Sequence, residues 1–83
     1  MSVTVKYFAS IREAIGVSSE SLVTPATTLA ALRDQLIAQG GAYAESLARG
    51  RSVRMALNQV MSDESAALVD GAEVAFFPPV TGG

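Results

Sequence analysis

Apolar and polar side chains alternate from the start of the chain. Val3, Val5 and Tyr7 fall on one face of an extended segment, and Thr4 and Lys6 on the other. Period two with β-branched and aromatic residues predicts a half-buried strand over Ser2–Phe8. The spacing then changes. Ile11 and Ile15 are four apart, Ser10-Ile11-Arg12-Glu13 has the form of a capping box, and Gly16 is a natural helix stop, so a short helix follows directly. Ser19–Thr24 carries a sparser strand pattern, with Leu22 as its one large core candidate and Pro25 closing it. Leu29, Leu32 and Leu36 then form a single apolar stripe on a helix running from Leu29 through Gln39. Thr27 or Thr28 supplies its cap, and Gly40-Gly41 ends it.

Tyr43 and Leu47 predict a further helical turn within Ala42–Ala48, broken at Arg49-Gly50. Val53, Met55 and Leu57 alternate with Arg54 and Ala56, which is a strand pattern; Asn58-Gln59 is its exit and Val60-Met61 a short edge strand. Ser62–Ala67 is small and polar, a surface connection, and Leu68-Val69 return to the core before an Asp70-Gly71 turn. The last strand sets Val74 and Phe76 on one face and Ala75 and Phe77 on the other. It stops at Phe77, because neither Pro78 nor Pro79 has an N–H for a ladder. Strands arranged around one long helix predict an α+β fold with a mixed sheet and the helix across one face, for which a β-grasp is the economical arrangement. Residues 1–83 read as a single domain in which 78–83 form an extended C-terminal tail, directed away from the body by its prolines. Gly82 and Gly83 have no side chains, so the terminal carboxylate can enter a narrow slot in another protein.

Composition narrows the chemistry. At 83 residues and 49% hydrophobic the chain suits one small folded domain. A net charge of −2 is the wrong sign for a nucleic-acid binder, and Arg49, Arg51 and Arg54 read as solvated charges. There is no cysteine and no histidine, which excludes disulfides, thiolate metal sites and cysteine nucleophiles, and removes the commonest general base and metal ligand. Asp63-Glu64 and the Asp70/Glu73 pair have no partner nearby in sequence and read as loop and turn charges. Ser18, Ser19 and Ser62 have no base to activate them, and Gly40-Gly41 follows a helix where a phosphate loop would precede one. No membrane span or signal segment is visible, so a soluble, cytoplasmic protein is expected. Of Phe76 and Phe77 one points outward, as an anchor for a partner or under a covering loop. The tail remains. A carboxylate is a poor electrophile and needs activation, for example by adenylation, after which sulfide or an amine can take the acyl carbon. This chain has no residues to activate itself, so it is a substrate of another enzyme.

Asp70-Gly71-Ala72-Glu73-Val74-Ala75-Phe76-Phe77-Pro78-Pro79-Val80-Thr81-Gly82-Gly83 resembles the C-terminal signature of the MoaD family, the ubiquitin-like sulfur-carrier small subunits of molybdopterin synthase. The likeness continues in Val5-Lys6-Tyr7-Phe8-Ala9 with Ile11-Arg12-Glu13, and in Ala56-Leu57-Asn58-Gln59. The thiamine sulfur carrier also ends in Gly-Gly but normally lacks the Phe-Pro-Pro stretch. One departure is Ala72, where the family usually has a second Asp; the resemblance would place there a charge that meets a basic residue of a partner. The resemblance implies a β-grasp fold and a two-enzyme cycle. A MoeB-like, ubiquitin-activating-like adenylyltransferase would use ATP and Mg²⁺ to form a glycyl adenylate at Gly83, and a sulfur donor would convert it to the thiocarboxylate (1-thioglycine). This chain itself would bind no cofactor and no metal. Gly82, Thr81, Val80, Pro79 and Pro78 would deliver the sulfur into a MoaE-like large subunit, to cyclic pyranopterin monophosphate, within a 2+2 heterotetramer. Phe77 and Ala75 would help dock that partner. The alternatives are a ubiquitin-like modifier joined to lysines, a sulfur carrier of another pathway such as thiamine synthesis, and a β-grasp binding module with an inert tail.

Overall fold

Five strands and three helices account for residues 1–79, the part of the chain that the computed structural model describes. In order they are β1 (Ser2–Tyr7), α1 (Ala9–Ile15), β2 (Ser19–Val23), α2 (Leu29–Ile37), α3 (Gly41–Leu47), β3 (Arg54–Leu57), β4 (Val60–Ser62) and β5 (Glu73–Phe77). The strands form one sheet in the order β2-β1-β5-β3-β4. β1 and β5 run parallel at its centre, and every other pair is antiparallel. The sheet is mixed, as the alternation predicted, and β2 and β4 are its edges.

The Leu29/Leu32/Leu36 stripe of α2 is fully buried against the sheet face carrying Val5, Tyr7, Val74 and Phe76. Apolar area removed from water at these positions is the main stabilising term. The Tyr7 ring stacks on Phe76 with centroids 6.3 Å apart. Thr28, the second of the two candidate caps, is the one used: its Oγ1 accepts from the Ala31 N–H at 3.1 Å. Asn58 and Gln59 both have positive φ (49° and 70°) and connect β3 to β4 as a two-residue turn of the type whose twist suits a hairpin.

Several local readings are corrected. Ser10 does not cap α1. Phe8 takes the N-cap position without a side-chain hydrogen bond. Its N–H donates to Phe76 O at 3.1 Å, and its carbonyl accepts from Ile11 and Arg12. The helix thus starts straight from the end of β1, and Ser10 is already inside it. α2 stops at Ile37, where the next N–H groups turn back to nearer carbonyls: Gln39 to Leu36 O and Gly40 to Ile37 O. The expected helical turn after it is a seven-residue helix that begins at Gly41, with Gly40 (φ 75°) making the reversal. Val69 does not enter the core; it is 56% exposed, and only Leu68 turns inward. Ala72 is 2% exposed and belongs to the core cluster, so this position faces the interior and not a partner's charge.

Candidate functional site: the root of the tail and the open sheet face

β5 carries the chain to the tail through the middle of the sheet, hydrogen-bonded on both sides. Its last paired residue, Phe77, lies opposite Arg54 of β3. Pro78 and Pro79 follow, half-buried, as one wall of a groove of about 510 Å³ whose other walls include Ile11 and Ala14 of α1 and Arg51–Val53 of the loop between α3 and β3. The proline spacer therefore starts along the body of the domain. Val80, Thr81, Gly82 and Gly83 lie outside the described residues.

The wall formed by Arg51–Val53 is held by an arginine that hydrophobic patterning assigns to solvent. Arg33 is only 4% exposed. Its Nε donates to Leu47 O at 2.7 Å, and its Nη2 donates to Ala48 O at 2.7 Å and Arg51 O at 3.1 Å. Its Nη1 lies 3.4 Å from Glu64 Oε1. The planar guanidinium fork matches this set of converging acceptors, which a lysine could not do. Arg49 adds an outer staple to Asp34, at 2.8 Å, and to Glu64. Glu64 and Arg49, both read as solvated charges, are thus ion-paired across α2.

The sheet face away from α2 has a different character. Ladder partners share a face. Lys6, Ala75, Ala56 and Met61 therefore form one row across β1, β5, β3 and β4. Ala75 is 7% exposed, a small residue on the floor between its neighbours, and Lys6 pairs with Glu73 at 3.4 Å on the surface. Phe77 points to this face, as the alternation required, and is half-buried. What meets it is Phe8, 44% exposed, its ring edge-on at 6.2 Å. Phe8 and Met61 were not picked out from the sequence. The available signal was phase: each is a large apolar residue on the open-face parity of its segment.

On the core side, the Tyr7 and Tyr43 hydroxyls both donate to Glu20 Oε2 at 2.7 Å, tying α3 to β1 and β2. Burial first, then the bond and charge of Glu20, push the Tyr7 phenol far above its ordinary range. Tyr43 is raised as well, first through its hydrogen bond to Glu20. A phenol whose folded pKa is raised contributes stability that is complete below the unfolded value, about 10, and is lost as pH rises beyond it. The unfolding free energy should therefore fall above pH ~10, by up to about 1.4 kcal/mol per pH unit for one phenol, and the urea midpoint with it. Tyr7→Phe should show a shallower fall. Equal slopes in urea titrations across this range would contradict it.

Among the described residues there is no group of three or more His, Cys, Asp or Glu able to hold a metal, and no helix long and apolar enough to cross a membrane.

A mixed sheet of this order closing on one helix defines a β-grasp, ubiquitin-like domain. The chain belongs to the ThiS family, whose model matches residues 5–83. It is 40% identical to the molybdopterin synthase sulfur carrier subunit of Escherichia coli, over 98% of this chain and 99% of that one. A solved Helicobacter pylori complex of subunits 1 and 2 of molybdopterin-converting factor contains a chain that is 30% identical, with a TM-score of 0.70 and full coverage of both chains. SAMP1 from Haloferax volcanii is 26% identical, again over the whole of both chains, with a TM-score of 0.76.

Proposed function

We propose that this chain is the sulfur-carrier subunit of a molybdopterin synthase. The observation that carries the reading is the 40% identity to the Escherichia coli carrier over nearly the full length of both chains. In this reading Gly83 is the chemical site. A MoeB-like adenylyltransferase, using ATP and Mg²⁺ in the cytoplasm, activates its carboxylate as the glycyl adenylate. A sulfur donor displaces the adenylate and leaves a thiocarboxylate. The carrier then docks on a MoaE-like large subunit, and its sulfur passes to cyclic pyranopterin monophosphate. The Helicobacter pylori complex of two subunits supports a large-subunit partner, and a 2+2 assembly is the stoichiometry we propose. Gly82, Thr81 and Val80 thread the partner's slot, Pro78 and Pro79 stiffen the approach, and Phe77 and Ala75, now joined by Phe8 and Met61, form the docking face. In this reading the chain is the sulfur donor, and the catalysis belongs to its partners.

The test is mass spectrometry after incubation with the activating enzyme, ATP, Mg²⁺ and a sulfur source. Replacing oxygen by sulfur adds about 16 mass units, and so does oxidation of a methionine, so the intact mass is ambiguous. Cleavage after Glu73 releases Val74–Gly83, which contains no methionine. The increment is expected on that peptide. Its absence with an active enzyme would overturn the proposal, and lysine-linked adducts in its place would establish a modifier.

A further inference from the structure

The row Lys6–Ala75–Ala56–Met61 ends on the edge strand β4. Met61 is 53% exposed there, and its ladder partner Ala56 is too small to cover it. Of the other methionines, Met55 is buried in the core, and Met1 stands beside Thr24 at the end of β2. The thioether of Met61 is thus open to solvent on the apolar face that the proposed function assigns to the large subunit.

We propose that Met61 is an oxidation site that controls docking: its conversion to the sulfoxide by an oxidant of the peroxide class weakens binding of the large subunit. The inference rests on the docking reading above. In the step, a sulfur lone pair attacks one peroxide oxygen, the S–O bond forms and the O–O bond breaks. The departing hydroxide takes the proton carried by the oxygen now bonded to sulfur and leaves as water. Sulfur is oxidised by two electrons and the peroxide is reduced by two. The product replaces a flexible apolar side chain with a polar, chiral one. Burying an S=O dipole against apolar side chains forfeits its water hydrogen bonds without replacement. Reductases specific for methionine sulfoxide reverse the change.

The experiment treats the full-length carrier with hydrogen peroxide, locates the oxidised methionines by peptide mass, and titrates the carrier against the large subunit by calorimetry. Oxidation of Met61 is expected to raise Kd about tenfold, equivalent to roughly 1.4 kcal/mol, with recovery after sulfoxide reductase treatment. Met61→Leu, which keeps apolar bulk but has no thioether, is expected to show the same Kd after peroxide as before it, whatever its starting affinity. The thermal midpoint should not move, because the β4 ladder involves backbone only. An unchanged Kd with Met61 fully oxidised overturns the inference, as does an equal loss in Met61→Leu or a drop in midpoint that accounts for the loss. Ala75→Arg separates the two readings. If it abolishes binding while oxidation does nothing, only the switch fails; if neither change matters, the docking face itself is wrong.

Discussion

Removing Gly82 and Gly83 is expected to abolish sulfur transfer completely while leaving the fold intact. Among the described residues the strands, helices and core cluster are built without either glycine, so unfolding free energy is expected to change by less than about 0.5 kcal/mol, the range typical of surface changes. The docking face proposed above is also untouched. Truncated carrier should therefore still bind the large subunit and inhibit the synthase by occupying it. The decisive comparison is synthase turnover against binding: loss of turnover, retained affinity and an unchanged urea midpoint. An inert-tail module predicts unchanged behaviour in every measurement, and full activity of the truncated chain would remove the carrier reading.

The largest effect on stability is expected at Arg33. Arg33→Leu leaves the carbonyls of Leu47, Ala48 and Arg51 without the donor that satisfies them. At about 1 kcal/mol for each abandoned acceptor, the loss is roughly 3 kcal/mol. Small domains have only about 5–15 kcal/mol in total. For a domain of this size the midpoint should fall by roughly 12–24 °C. Arg33→Lys keeps the charge but not the fork, so it should recover only part. Arg49→Ala, which breaks the exposed staple, should cost no more than about 1 kcal/mol. Thermal and urea unfolding of the three variants provide the check. Equal effects of the Arg33 and Arg49 substitutions would show that burial of the guanidinium contributes nothing. Because the same loop walls the groove beside Pro78 and Pro79, the Arg33 variants should also lose order at the root of the tail.

The elements were legible wherever one face had to be buried. Period-two alternation located β1, β3 and β5, and a Leu stripe located α2, because each pattern follows from a single buried face. The readings that failed depended on something outside their own window. Ser10 to Glu13 matches a capping box in isolation, but the ladder bond from Phe8 to Phe76 starts the helix earlier. Val69 follows a core leucine yet is left outside, while Ala72 fills the interior. Glu64 reads as a loop charge from its own window, yet it pairs with Arg33, a helix residue that the loop after α3 closes over.

By itself the sequence determined the α+β class, the buried faces, the absence of histidine and cysteine, and a last strand that runs into Pro-Pro-Val-Thr-Gly-Gly. Only the tertiary structure decided which side chains share the open sheet face with Phe77. Phe8, Met61 and the β5 pair Ala75 and Phe77 come from three separate segments, and no periodicity within any of them records that β5 lies between β1 and β3. Strand order is set by packing between elements, so the face on which Phe77 lies became visible only once the sheet had formed.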